Sequence, residues 1–326
     1  MKLDAVVKPP EGLASGRFFR TSYLPTCAAV VFLLVLVWAG APGEPVRFGR
    51  AWLMAINIEV VEILLIVLTV TLVSVLLQPL QQSLVRVLEG GWPRWLGSSL
   101  ARRLQLFRKH RLERDIQRTI DRAAALLDVP ATLNERENFI QRAGAKAARL
   151  RSRFPLPDHL VRPTALGNAL AATEDNAGAA YGLDAVVIWP RLYPVVSDRA
   201  RAIVDDLRDS MDAAARLAAT GAVTALAAFG LLARHSGWWT LLALAPLAIL
   251  ALGYSGAVRA AVAYGVAVHV AFDLHRFDLL KAMRLAVPDS QDAETKANMA
   301  LSDFLRQGVP VPFIYIDPEP SVSGNG

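Results

Sequence analysis

The side chains placed to do chemistry fall in three stretches. Glu59 and Glu62 lie one helical turn apart inside the apolar run Trp52–Gln82. Carboxylates within a hydrocarbon layer are costly and mark ion pathways or proton relays. Asn168, Glu174, Asp175 and Asp184 form a second set, with Trp189 just after it. Their oxygens could surround a cation, act on a substrate or dock a partner. The spacing fits neither a calcium loop nor a zinc site. The competing reading is that the Asn and Asp side chains cap helix ends and the Trp189-Pro190 corner is packing. The third stretch is basic: between Ala101 and Ala125 there are eight Lys/Arg and three acids.

Other chemistry is sparse. The five histidines, at positions 110, 159, 235, 269 and 275, are dispersed, and Cys27 is the only cysteine, so neither a disulfide nor a Cys-based metal site can form within one chain. There is no P-loop, GxGxxG, HExxH, GxSxG or kinase signature. No catalytic residue, cofactor or metal is expected, and nothing argues for an enzyme. The acidic cluster Asp205, Asp206, Asp209 and Asp212 reads as a salt-bridged helix face, with Arg201–Asp205 and Arg208–Asp212 at (i, i+4) spacing.

The apolar pattern sets the helices on which these residues sit. The chain has 326 residues, 54% apolar and 20% charged, and the apolar excess sits in four blocks. Crossing a hydrocarbon core of roughly 30 Å takes about 20 helical residues. The expected class is all-α: a polytopic membrane protein with four transmembrane helices in two hairpins and a helical cytoplasmic domain. The expected segments are a tail at 1–23, spans at 24–41 and 52–80 around an outer loop at 42–51, and a cytoplasmic helical domain at 81–213. Spans at 214–233 and 238–258 come next, around a turn at 234–237, and 259–326 holds C-terminal helices and a disordered tail. The first span reads as retained rather than as a cleaved signal. Arginines near the spans place both termini and the middle segment in the cytoplasm, and tryptophans at the span ends agree. One alternative makes Gly253–Gly256 a turn before a fifth span; the other is a single helix that leaves the bilayer.

Within this frame, counting back about 20 residues from Gln78 puts the outer edge near Ile58. Glu59 then sits at the edge, and Glu62 about 5 Å inside it. Both can snorkel outward or meet Arg47 and Arg50. Pro79 is expected to kink the second span, and Pro246 to leave the Leu242 carbonyl unpartnered in the middle of the fourth. Small residues at Ala218/Ala222 and Gly221/Ala225 are spaced for close helix packing, within the chain or with another copy. Leu100, Leu104, Phe107, Leu112, Ile116 and Ile120 make an interrupted apolar stripe on the basic helix. That helix reads either as a solvated juxtamembrane face or as one lying on anionic lipid; no nucleic-acid reader motif is present. Pro130 should end it, and Thr132 should cap the next helix, to about Arg153. Thr164 is a further expected cap, and the VPVPFIYID segment is expected to be extended against the soluble part.

Several motifs in the soluble part carry a resemblance: LGN at Leu166–Asn168, the Glu174-Asp175 pair, YGLDAVV from Tyr181, WPRL from Trp189, AYGVAVHVAFDLHRFDLLKAM from Ala263 and LSDFLRQG from Leu301. Together they resemble a family of uncharacterised bacterial, actinobacterial-type, integral membrane proteins, over roughly Phe154 to Gly308. The resemblance implies a bacterial inner-membrane location and no mechanism. The leading expectation is a membrane-anchored interaction or scaffold protein that docks a cytoplasmic partner or forms a homo-oligomer. The alternative is an oligomeric ion channel with Glu59 and Glu62 near its outer mouth, a layout similar to that of bestrophin-type channels but without a matching motif. An enzyme acting on lipid would need Glu174, Asp175 and Asp184 gathered with a base or metal.

Overall fold

A computed structural model describes residues 24–57, 59–92, 97–125, 133–234 and 237–316, and for residues 70, 73–82 and 133 the backbone alone. The described residues are all-α. The helices are α1 (Leu24–Trp38), α2 (Phe48–Ile56), α3 (Val60–Leu88), α4 (Ser98–Ala124), α5 (Leu133–Arg153), α6 (Ala165–Asn176), α7 (Ala185–Leu192), α8 (Asp198–Leu232), α9 (Leu244–Ala282) and α10 (Gln291–Gln307). Short 3-10 turns cover Asp158–Leu160, Ala179–Tyr181 and Gly237–Ala243. The chain divides into two compact units, Met1–Gly91 with Asp209–Arg259, and Trp92–Arg208 with Ala260–Gly326. The expected tail at 1–23, the Pro130 stop, the Thr132 cap and the disorder expected at 319–326 lie outside the described residues.

By length and composition, two helical stretches can cross a membrane, Asp198–Leu232 and Gly237–Ala282. A third is added if the bent pair α2–α3 is one span, and the apolar α1 is shorter, at 15 residues. At 1.5 Å per residue α8 is about 52 Å long, more than a hydrocarbon core needs. Its first turns are charged and its second half apolar.

In the first unit the run Trp52–Leu80 is not one helix, as the apolar pattern implied. It breaks between Ile56 and Val60, with a bend of 115°. The carboxylates supply the reason. Glu59 is the N-cap of α3 and Glu62 its third residue; the Glu59 side chain accepts the Glu62 N–H, and Glu62 Oε2 accepts the Glu59 N–H at 3.2 Å. Such a box satisfies two of the backbone donors left free at a helix start, and negative charge there suits the helix dipole. Asn57 closes α2, its N–H bonded to the Leu53 carbonyl at 3.3 Å. Residues 48–51, expected in a loop, are helical, and α3 runs on past Pro79 to Leu88.

Two further expectations change. Pro246 is not in the middle of a helix but the third residue of α9, after the 3-10 turn. There its missing N–H falls among the donors that have no intrahelical partner anyway. Gly253–Gly256 lies inside α9, so no turn precedes a fifth span; one 39-residue helix accounts for these residues. Small side chains let α8 and α9 approach closely. A Cβ added at Gly221 would lie 2.7 Å from the Leu250 nitrogen, and one at Gly253 2.8 Å from the Ala218 nitrogen. The stripe of small residues thus packs within the chain. Leu36, Ala39, Val46, Ala51, Ala228 and Leu232 complete this unit's buried cluster.

In the second unit α4 and α5 pack along each other, with Lys146 bound to Asp115 at 2.7 Å and to Thr119 Oγ1 at 3.1 Å. A second core gathers Leu183, Ile188, Leu192, Val196, Val268, Phe272, Leu279 and Leu301 from α7, α9, α10 and their connections. The extended end lies against it: Phe313 packs on this core, and the Ile316 N–H reaches the Arg284 carbonyl at 2.9 Å. Arg201 does not pair with Asp205 as its spacing suggested. It turns back to Asp198 and to the Pro194 and Val196 carbonyls, while Asp205 accepts the Tyr193 hydroxyl at 2.7 Å.

Candidate functional site

The site is assembled on the segment Leu156–Arg162. Thr164 caps α6 by accepting the Gly167 N–H at 3.0 Å, which sets the face that α6 turns to this segment. Asn168 is fully buried there. Its Oδ1 accepts the Arg162 N–H at 2.7 Å, and its Nδ2 donates to the Arg162 carbonyl at 3.0 Å. A primary amide matches a peptide's donor and acceptor at once, so this one side chain fixes the segment's path. Almost two turns further along α6, Glu174 takes the Arg162 guanidinium at 2.5 Å, and Asp175 Oδ2 accepts the Leu156 N–H at 2.8 Å.

The opposite wall is α7 and α10. Asp184 caps α7 by accepting the Val186 N–H at 2.9 Å, and its other oxygen pairs with Arg306. The Asp184 N–H in turn donates to Ser302 Oγ at 3.1 Å. Asn298, also buried, donates to the Tyr181 carbonyl at 2.9 Å and ties α10 to the turn before α7. Between the walls lies a groove of about 640 Å³, lined by Arg162, Glu174, Asp175, Asp184, Asp303 and Arg306 together with Val186 and Met299.

The structure therefore brings Glu174, Asp175 and Asp184 to one groove and puts Asn168 behind it as a brace. Trp189 is elsewhere. It stacks on Phe272 (centroids 6.0 Å, 24°) and borders a smaller hollow with Tyr193, Asp205, Arg208 and Tyr264. Glu59 and Glu62 belong to the other unit. The residues sequence reasoning missed are Arg162, Ser302, Asn298 and Arg306. The last three lie four residues apart along one helix, a same-face spacing that could have singled them out.

Three acids in the groove have partners: Glu174 an arginine, Asp175 a backbone N–H, Asp184 a helix start and an arginine. No group of three or more His, Cys, Asp or Glu among the described residues could hold a metal ion. The ion pairs Arg162–Glu174 and Arg306–Asp184 suit recognition of a charged surface.

Below the groove is a feature the basic run concealed. Lys109 of α4 is 1% exposed. Its Nζ donates to the Leu156 carbonyl and to Asp158 Oδ1 at 2.6 Å, and Glu113 stands at 3.7 Å. His110 Nε2 meets Asp158 Oδ2 at 2.8 Å, and Arg102 binds the Asp158, His159 and Val161 carbonyls. The hydrogen bond from Lys109, and then that from His110, hold the Asp158 carboxyl below its ordinary value. A lowered carboxylate pKa stabilises the fold fully above the unfolded value, about 3.9, and the benefit is lost as pH falls through the folded value. The Val161 amide, corrected for intrinsic rate, should therefore exchange faster at pH 3 than at pH 5, and Asp158→Asn should remove most of that difference. An unchanged pH response in the variant would show that the latch does not depend on this carboxylate.

Compared with known protein families, with curated proteins and with solved structures, the chain matches none.

Proposed function

We propose that the chain is a membrane-anchored docking protein of a bacterial inner membrane. In this reading α1 and the α2–α3 pair complete a four-span anchor with α8 and α9, both termini face the cytoplasm, and the helical unit presents its groove to a cytoplasmic protein. The observation that carries it is the groove between α6, α7 and α10, whose rims carry the ion pairs Arg162–Glu174 and Arg306–Asp184. Such a surface is formed before the partner arrives, so little ordering is required on binding. The alternative, an oligomeric ion pathway at Glu59 and Glu62, has no favouring observation, since both carboxylates are engaged in starting α3.

A photo-crosslinking residue at Val186, in the groove, tests the docking reading in intact cells. The expected result is a discrete adduct of defined mass that the same probe at exposed Ile203 does not give. Equal adducts at both positions, or none at either, would count against a groove-specific partner.

A further inference from the structure

The two faces of α4 do different work. The inward face carries Gln105, Lys109, Thr119 and Ala123, all buried. Leu112 and Ile116 are half-buried on the same side, so the apolar stripe read from the sequence divides. Leu100, Leu104 and Phe107 point away, 64%, 56% and 59% exposed, while Ile120, 45% exposed, lies off their arc. At about 100° per residue these three share an arc of roughly a quarter turn with Arg103, Arg111, Arg114 and Arg118, all four of them exposed. Arg102 and Lys109 are withdrawn from this face by the latch on Leu156–Val161.

We propose that this outward face of α4 is an interfacial membrane-binding surface, on which Leu100, Leu104 and Phe107 enter the headgroup–acyl boundary of an anionic leaflet and the four arginines hold its phosphates. Large apolar side chains flanked by cations on one helix face are the pattern of helices lying in the interface plane. The charge argues against a second copy, because a symmetric pairing of this face with itself sets arginines against arginines. The three apolar side chains argue against a nucleic-acid backbone, which would leave them in water. Only residues 89–97 lie in the chain between α4 and the apolar α3. The surface is separate from the groove and does not depend on the docking reading.

The lone cysteine makes the test direct. Full-length protein carrying Cys27→Ser and Leu104→Cys with a nitroxide label is placed in nanodiscs of phosphatidylcholine alone or mixed equally with phosphatidylglycerol. A second sample carries the label at Gln117, off this face. With phosphatidylglycerol, collision of the label at position 104 with a water-soluble nickel reagent should fall about fivefold relative to position 117, while collision with oxygen rises, as for a side chain in lipid. Replacing Arg103, Arg111, Arg114 and Arg118 together by Gln should restore access. Equal nickel access at both positions would overturn the proposal. So would burial that ignores lipid charge or survives the Gln variant, and so would loss of both nickel and oxygen access, which signals a protein partner instead.

Discussion

In a Lys109→Met variant the amides of Leu160 and Val161 are expected to exchange about thirtyfold faster than in the parent chain, a local loss of roughly 2 kcal/mol. Methionine fills the space of the lysine stem, so little of the effect comes from packing. What disappears is the ammonium. Lysine is almost never fully buried unless paired, and here it is paired with the Leu156 carbonyl and the Asp158 carboxylate. Hydrogen bonds to a charged group contribute about 1.5–3 kcal/mol each when buried. Asp158 is half exposed, so water can replace the lysine there and that part is discounted. The Leu156 carbonyl loses a buried donor, and this sets the lower bound. Arg108→Met, one residue away but on the exposed side, should leave the same amides within twofold of the parent. Exchange in the full chain is the right measure, because a chain of two units has no single unfolding free energy. Equal effects from both variants would show that Lys109 contributes only general charge.

How much of this was legible in the sequence depends on the range of the interaction. The helical class, the unbroken entry of α8 into its apolar half and the Thr164 cap rest on local pattern, and they are present in the structure. The break before Val60 was not legible, because Trp52–Ile56 is as apolar as the first turns of α3. Only the (i, i+3) spacing of Glu59 and Glu62 hinted that they start a helix rather than sit within one. Pro246 was misplaced for a similar reason: hydropathy continues through the 3-10 turn and hides where α9 begins. The site divides in the same way. Glu174, Asp175 and Asp184 were visible as a set because they are close in the chain. Arg306 was not, since it reaches Asp184 across more than a hundred residues. Lys109 was hidden among seven arginines: composition cannot say which cation of a basic helix turns inward, and that decision belongs to the carbonyl it finds there.

The same long-range dependence makes Gly182→Ala the second large effect. Gly182 sits between the turn Ala179–Tyr181 and Asp184, with φ of +76°. A non-glycine residue is disfavoured there by about 1 kcal/mol. The added methyl also has nowhere to go, since its carbon would lie 2.5 Å from the Thr295 carbonyl oxygen of α10 and 3.2 Å from Met299 Cγ. The nearest atom is helix backbone, which cannot rotate aside as a side chain would, so α10 must move as a body. Overpacking of this kind costs typically 1–3 kcal/mol beyond the dihedral strain. The two terms together give an expected loss of about 2–4 kcal/mol in the second unit. The displacement has a direction. It separates α10 from the turn it is tied to by Asn298 and Ser302, and it draws Arg306 away from Asp184. Amides of α7 and of the first turns of α10 should therefore lose protection, whereas those of Gly221 and Leu250 in the other unit should not. If the groove docks a partner, the adduct at Val186 should fall with the same substitution. Gly97→Ala provides the comparison: its φ is +74°, yet among the described residues nothing lies within 4 Å of an added methyl, so only the dihedral part of the loss should appear. A Gly182→Ala effect no larger than that of Gly97→Ala would mean that α10 does not press on this turn, and the far wall of the groove would lose its brace.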